Sequence, residues 1–300
     1  MKSSLQPSSL PTYRRAWELY TLFLSATFHY ATVTLPVSPS MLALFIAFLF
    51  EKNYAPSTVN TYISAIGYSH KFYNFHNPSK VFFIVQMLKG YNKIGFRLDN
   101  RLPVTLPILH KLLHSIPSVV DSDYNVALFK AMFSLAFFAF LRIGEITTDS
   151  SPKHNITLQL DQLAFSVDSS NVDIALKLTF RDYKHSYNQP RFTLNIEKQN
   201  VFCPVTLIRQ YLNLRGYNPG PIFISLSRQP ISRDFFCQLL NRTLTYCNLD
   251  PSRYKGHSFR IGAATHAAEQ GLADAQIRSL GRWKSNAFLK YIRVSSFSSR

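Results

Sequence analysis

The chain has 300 residues, 46% of them hydrophobic, and a length of this order corresponds to about two domains. Such a chain can bury a sizeable core, and its three cysteines include no closely spaced pair, which excludes a fold that depends on disulfides or zinc. The 33 basic and 16 acidic residues give a net charge of +17, which favours a polyanionic partner, either nucleic acid or an anionic membrane surface.

Residues 13–98 have the apolar spacing of a small all-helical domain. The predicted helices are Tyr13–Ala26, Met41–Phe50, one that begins near Ser57, and Ser79–Tyr91. Ser40 and Ser57 are predicted to cap two of these helices, because a serine side chain can accept a hydrogen bond from the first turn. A basic stretch with two prolines then predicts a linker near residues 96–104, so the domains are expected at 1–98 and 99–300.

The second domain is predicted to combine helices with a small sheet. Its helices are expected at Ile108–Ser115, Tyr124–Leu141, Pro204–Leu214, Ser232–Cys247, His257–Gln270, Asp274–Leu280 and Ser285–Ile292. Three short runs bounded by turns are typical of a meander of hairpins, at Gln162–Val167, Ala175–Phe180 and Arg191–Ile196. The polar segment Arg181–Pro190 is expected to project as a hairpin tip. The predicted fold class is therefore α+β, mainly α with a small antiparallel β-sheet.

The positive charge is concentrated in two regions around a neutral one. Residues 251–300 contain nine basic and two acidic side chains, residues 51–100 six and two, and residues 101–150 four of each. This distribution favours a protein that grips nucleic acid from two sides. The apolar runs are far shorter than the roughly 20 residues that span a bilayer, so no membrane association is expected. The polar start of the chain and the unpaired cysteines indicate a reducing, intracellular location, the nucleus if the source is eukaryotic.

His257 and Arg260 lie three residues apart in a predicted helix and therefore share one of its faces. A guanidinium can hold a phosphate oxygen in its fork while a neutral imidazole transfers a proton, so this pair suits a phosphodiester substrate. A pair of this kind also occurs on ordinary helix surfaces, and the two residues by themselves favour that ordinary interpretation over a phosphodiester site.

Arg142 ends a nearly uniformly apolar helix, and Glu145 follows three residues later. A guanidinium in such surroundings is partly desolvated, which is costly unless an anion pairs with it. One interpretation is an anion site that Glu145 orients. The other is a helix-end ion pair that contributes little to stability.

Three short motifs carry the strongest functional signal in the chain. Leu141–Glu145 has the sequence LRIGE, Gly256–Arg260 has GHSFR, and Gly281–Trp283 has GRW, with Tyr291 eight residues after the tryptophan. In order and spacing these motifs resemble the two signature boxes of the tyrosine recombinases, also called phage-type integrases. The resemblance covers roughly residues 13–293 and is weakest in the N-terminal helices.

The resemblance implies a role for each matched residue. Arg142 and Arg260 are expected to hold the scissile phosphate, and His257 to transfer a proton. Trp283 stands where the family has His or Trp, and its ring nitrogen is expected to donate a hydrogen bond to a phosphate oxygen. Tyr291 is expected to be the nucleophile.

Further residues are assigned through the same resemblance. Glu145 is expected to support Arg142, and Lys184, at the predicted hairpin tip, to protonate the leaving 5′ oxygen. The tip also offers Arg181 and His185 for that proton transfer. Basic side chains are expected to contact DNA at Lys71, Lys89, Lys93, Arg282 and Lys284.

The implied reaction is cleavage and rejoining of double-stranded DNA through a covalent 3′-phosphotyrosyl intermediate. A phenol has a pKa near 10, so it attacks well only where a base and nearby cations favour the phenolate. Preorganised arginines and a tryptophan N–H stabilise the extra charge on phosphorus, so neither a metal, another cofactor nor ATP is expected. The implied architecture is a clamp around DNA, formed by a helical core-binding domain and a catalytic domain.

Two departures from the family pattern refine this expectation. The eight-residue spacing between Trp283 and Tyr291 replaces the nine of the best-known phage and bacterial members, and GRW with YIR resembles recombinases of eukaryotic mobile elements of the Crypton and DIRS types. Only residues 292–300 follow the tyrosine, whereas many members have a longer C-terminal helix that docks into a neighbouring protomer. Self-association as a tetramer on DNA is therefore expected with less support than DNA binding.

Other interpretations of the same residues stay open. A domesticated DNA-binding protein could keep the fold without strand exchange, and a type IB topoisomerase-like enzyme could use the same chemistry as a monomer. The presence of every expected residue type favours the recombinase. A membrane-associated or RNA-binding protein has no motif in its support.

Overall fold

The computed structural model describes residues 9–29, 32–95, 99–148, 156–181, 183 and 191–293. The chain divides into two compact units, Met1–Asp99 and Asn100–Arg300, each with its own buried apolar core. The described residues are mostly helical, with one small antiparallel sheet, which confirms the predicted fold class. No helix in the described ranges is long and apolar enough to cross a membrane.

The described part of the first unit contains four α-helices. They are α1 (Leu10–Phe28), α2 (Pro39–Glu51), α3 (Pro56–Phe72) and α4 (Phe82–Ile94). The N-cap residues of α2 and α3 are Ser38 and Ala55, so the predicted caps Ser40 and Ser57 are wrong. Both helices begin with proline, which lacks an N–H and fits the first helical position, where no intrahelical bond is required. Each cap therefore lies one residue before a proline.

A histidine side chain ties the segment between α1 and α2 to the core of the first unit. His70 is fully buried, and its Nε2 accepts the backbone N–H of Val37 at 2.8 Å. Its Nδ1 lies 2.8 Å from the carbonyl oxygen of Ile66 and therefore carries the proton. The ring is thus held as the neutral tautomer with a proton on Nδ1.

Six α-helices lie in the described part of the second unit. They are α5 (Leu106–Ser115), α6 (Asp123–Phe138), α7 (Pro204–Arg215), α8 (Arg233–Tyr246), α9 (Gly256–Glu269) and α10 (Asp274–Leu280). The prediction extended α6 to Leu141, but Phe140 has a φ of +51°, a left-handed conformation that turns the chain. The predicted helix Ser285–Ile292 is a 3₁₀ helix over Asn286–Tyr291.

The sheet of the second unit is a meander, as the hairpin pattern predicts. It consists of β1 (Leu163–Val167), β2 (Asp173–Phe180) and β3 (Phe192–Glu197), in the order β1-β2-β3 with both pairs antiparallel. Alternate residues of β2, namely Leu176, Leu178 and Phe180, are fully buried, so this face packs on the core. Most of the predicted hairpin tip, including Lys184, lies outside the described residues.

Helix α9 packs unusually close to its neighbours because two of its residues lack a side chain. A Cβ on Gly262 would lie 1.8 Å from the carbonyl oxygen of Val104, and one on Gly256 would lie 2.3 Å from the side chain of Ile143. The backbone N–H of Val104 also donates to the carbonyl of Ser258 at 3.0 Å. These contacts hold α9 against two segments, the one that precedes α5 and the one that follows α6.

Candidate active site

Glu145 holds Arg142 in a short turn after α6. Its carboxylate is fully buried and accepts the backbone N–H of Arg142 at 2.9 Å and the Nη1 of the same arginine at 3.1 Å. The Arg142 side chain keeps 22% of its surface exposed. The charge-assisted bonds fix one side of the guanidinium and leave the other open to an anion.

Arg260 lies in α9 and has no accessible surface. It donates Nη1 to the carbonyl of Phe140 and Nη2 to the carbonyl of Gly281. Burial, and secondly the nearby charge of Arg142, lower the pKa of Arg260 well below its ordinary value. No carboxylate in the described ranges forms an ion pair with it. A buried cation without a counterion is costly, so an anion at this point would be stabilised.

The rings of Trp283 and Tyr291 lie over Arg260, and Tyr291, the predicted nucleophile, also lies next to His257, the predicted base. The ring centroid of Tyr291 lies 4.9 Å from that of His257 and 5.0 Å from that of Trp283. The Arg260 guanidinium carbon lies 4.2 Å from the Trp283 centroid and 5.8 Å from the Tyr291 centroid. Sequence reasoning predicted these four residues together, and the structure places them in one cluster.

Two hydrogen bonds connect the segment that carries Tyr291 to α9. The hydroxyl of Thr265 donates to the carbonyl of Tyr291 at 3.3 Å and accepts the backbone N–H of Arg293 at 3.0 Å. Sequence reasoning did not single out Thr265, although its position eight residues after His257 places it two turns further along the same helix.

Trp283 lies flat over a glycine. A Cβ on Gly281 would come within 1.6 Å of the indole ring, so only glycine fits there. The ring is 9% exposed and packs against Phe140 and Phe288, with centroids 6.4 and 6.3 Å away. The indole also stacks on the Arg260 guanidinium, and donation of its N–H to a phosphate stays a prediction.

Arg282 is not on the surface where a DNA contact was predicted. Its side chain is 1% exposed, and its Nη2 lies 2.8 Å from the carboxylate of Glu145. The guanidinium carbon lies 3.8 Å from the ring centroid of Phe180, and burial is the main cause that lowers the pKa of Arg282. Arg282 therefore does not form the surface contact with DNA that was predicted, because its guanidinium is paired with Glu145 and covered by Phe180. The sequence signal that could have predicted its burial is its position between Gly281 and Trp283, in a segment that packs on the core.

The other predicted DNA contacts are all exposed. Lys71 lies in the last turn of α3, Lys89 and Lys93 lie on one face of α4, and Lys284 follows the indole of the cluster. Their contact with DNA stays a prediction, as does proton transfer by Lys184. Within the described ranges, no group of three or more His, Cys, Asp or Glu residues is arranged to bind a metal.

Solved structures of similar fold match nearly the whole length of this chain. No protein-family model matches the sequence. The XerH site-specific recombinase, in a post-cleavage complex with a palindromic difH substrate, matches over 95% of this chain and 76% of its own, with a TM-score of 0.62 at 13% identity. The Tn1549 transposon integrase, in complex with transposon right-end DNA, matches over 95% of this chain and 90% of its own, with a TM-score of 0.61 at 14% identity.

The chain has the tyrosine-recombinase fold. A lambda integrase dimer bound to a COC′ core site agrees, with a TM-score of 0.58 at 12% identity over 96% of this chain and 72% of that one. In sequence, an 80-residue stretch is 31% identical to the tyrosine recombinase XerD of Xanthomonas axonopodis pv. citri (strain 306). That stretch is 27% of this chain and covers only 25% of XerD. Within this fold, His257, Arg260, Trp283 and Tyr291 form one cluster, and Arg142 lies near enough to Arg260 to lower its pKa.

Proposed function

We propose that the protein cleaves and rejoins double-stranded DNA, with Tyr291 as the nucleophile and a covalent 3′-phosphotyrosyl intermediate. The observation that carries the proposal is the cluster itself. A phenol, an imidazole and a buried guanidinium meet at one point of a recombinase fold, with a second guanidinium nearby. The buried cation forms no ion pair with a carboxylate of the described residues. This combination suits a phosphodiester, which needs a nucleophile, a proton acceptor and charge stabilisation together.

In the proposed reaction, the phenol oxygen of Tyr291 forms a bond to phosphorus and the bond to the 5′ oxygen breaks. His257 accepts the phenol proton, and Lys184 supplies a proton to the leaving 5′ oxygen. Arg142 and Arg260 bind the non-bridging oxygens, whose negative charge grows as phosphorus becomes pentacovalent. The phosphodiester is exchanged rather than hydrolysed, so attack by a 5′ hydroxyl reverses the step and rejoins the strand.

Access to Arg260 requires a local rearrangement. Because this side chain has no accessible surface, a phosphate reaches it only when the rings of Trp283 and Tyr291 turn aside. The same rotation brings the phenol towards the phosphate. Entry of the DNA and exposure of the nucleophile are therefore coupled in this proposal.

The proposed biological role is site-specific recombination or integration of a mobile element, with self-association into a tetramer on DNA and, in a eukaryotic host, a nuclear location. The likeness to the Tn1549 transposon integrase supports the mobile-element role. The motif GRW at residues 281–283 and the sequence YIR at residues 291–293 support an affinity with Crypton and DIRS elements.

The test is to incubate the purified protein, in EDTA, with labelled nicked duplexes of random sequence and to resolve the products on a denaturing gel. We expect a covalent adduct that is absent from Tyr291→Phe and is retained by Tyr246→Phe, an exposed tyrosine on α8. DNA binding that falls with salt but yields no adduct would contradict the proposal and favour a binding protein without strand exchange.

A further inference from the structure

Arg282 joins three segments of the second unit. It lies between Gly281 and Trp283, and its guanidinium donates to the carbonyls of Ala139 and Phe140 after α6, at 3.3 and 3.4 Å. It also stacks on Phe180, the last residue of β2. The Arg282 side chain thus contacts the segment after α6 and the end of β2, and Arg282 itself belongs to the segment that carries Gly281 and Trp283.

Arg282 also shares the carboxylate that holds Arg142. Oε2 of Glu145 accepts from Arg282 Nη2 at 2.8 Å and from the Arg142 backbone at 2.9 Å, while Oε1 accepts from Arg142 Nη1 at 3.1 Å. Both side chains of the Arg282–Glu145 pair are 1% exposed. The carboxylate is therefore fixed from two directions, and its position determines where the Arg142 fork points.

The shared carboxylate leaves the cluster positively charged. Three guanidinium groups, those of Arg142, Arg260 and Arg282, lie near the carboxylate of Glu145. No other carboxylate of the described residues pairs with them, so the set has a formal charge of +2. A phosphodiester carries one negative charge, and its pentacovalent form carries two. Because interactions between charges are strong in a buried site, the third arginine acts on the phosphate without contact.

We infer that Arg282 is a positioning residue for strand cleavage. Its first role is to hold Glu145, which in turn holds the guanidinium fork of Arg142. Its second role is to supply positive charge, so that the site stays cationic although Glu145 offsets one arginine. This inference rests on the proposed function. It assigns Arg282 a role distinct from the surface contact with DNA that its basic character first indicated.

The experiment compares single-turnover adduct formation by wild type and Arg282→Gln on two nicked substrates, one with a normal scissile phosphate and one with a neutral methylphosphonate. On the normal substrate we expect cleavage to slow on the order of 100-fold, the effect of misplacing a catalytic group by about 1 Å, with little change in DNA affinity. On the methylphosphonate, which needs less positive charge, we expect a smaller loss.

Arg282→Lys separates charge from geometry. It keeps the cation but loses the planar fork, so we expect cleavage about 10-fold slower than wild type, the effect of one lost charged hydrogen bond, at unchanged DNA affinity. This variant carries the test if Arg282→Gln does not fold. Cleavage by Arg282→Lys at the wild-type rate would overturn the role of the fork.

Arg209→Gln is the matched control, because Arg209 also pairs with a carboxylate, that of Asp173 at 2.6 Å, and stacks on Phe165 at 3.6 Å, but lies outside the cluster. We expect it to lower thermal stability without slowing cleavage. Equal losses on both substrates by Arg282→Gln, with a fall in melting temperature like that of Arg209→Gln, would reduce Arg282 to a stabilising residue. Absence of an adduct from wild type would overturn the proposed function and this inference together.

Discussion

At the scale of single residues, two arginines of the site differ in burial, although residue type alone does not distinguish them. Arg282 and Arg142 both donate to Glu145, yet one is enclosed and the other keeps part of its guanidinium open. The resemblance to the tyrosine recombinases predicted that His257, Arg260 and Tyr291 belong together. It could not predict which arginine is enclosed, because burial depends on how α6, β2 and the Gly281 turn come together.

Substitutions of Trp283 test whether its ring or its N–H matters. The indole stacks on Arg260 at 4.2 Å in a desolvated site, where a cation–π contact contributes about 2 kcal/mol. We therefore expect Trp283→Ala to slow adduct formation about 30-fold. Trp283→Phe keeps an aromatic ring and is expected to retain most of the rate. An equally slow Trp283→Phe would instead assign the effect to the indole N–H.

At the scale of elements, local sequence signals predict where the helices and strands lie, whereas their exact ends also depend on proline positions and tertiary contacts. The periodic apolar pattern predicted the helices and the β-meander, whereas the exact helix starts were missed. A serine does cap α2, but it is Ser38 rather than Ser40, and α3 is preceded by Ala55, whose side chain forms no cap. The end of α6 was also missed, because Phe140 adopts a left-handed conformation that no apolar pattern encodes. Its carbonyl accepts from Arg260 and Arg282, so a tertiary contact accompanies this turn.

Gly262 tests the close packing of α9. We expect Gly262→Ala to destabilise the second unit by about 1–3 kcal/mol, since the new methyl group would meet backbone rather than a flexible side chain. Urea unfolding measures the change. Gly90→Ala, in α4 with no atom within 4 Å of the added methyl group, is the control and is expected to stabilise its helix by about 0.5–1 kcal/mol. A neutral Gly262→Ala would contradict the close approach.

His70 tests the tie between α1 and α2. Replacement by Phe leaves the buried N–H of Val37 without an acceptor, which is expected to destabilise the first unit by about 1–3 kcal/mol. Thermal unfolding followed by circular dichroism reports the change. His76→Phe, at an exposed position, is expected to alter stability by less than about 0.5 kcal/mol. Similar effects of both substitutions would refute the role assigned to His70.

At the scale of the whole molecule, the basic composition makes a quantitative prediction for DNA binding. If Lys89 and Lys93 each neutralise one phosphate, the double substitution to Gln reduces the slope of log K against log salt by about 2. Fluorescence anisotropy over a range of salt concentrations measures the slope. Lys52→Gln, another exposed lysine of the first unit, is expected to leave it unchanged. An unchanged slope in the double variant would remove these lysines from the interface.

The carbonyl oxygens that accept from Arg260 have an evolutionary consequence. They belong to the main chain of Phe140 and Gly281, and mutation of a catalytic side chain does not delete them. A gene copy whose Tyr291 codon decays would therefore still encode a folded, cationic cluster. Inactive descendants of such a gene would compete with active copies for the same anionic target, so chemistry can disappear from a lineage before recognition does.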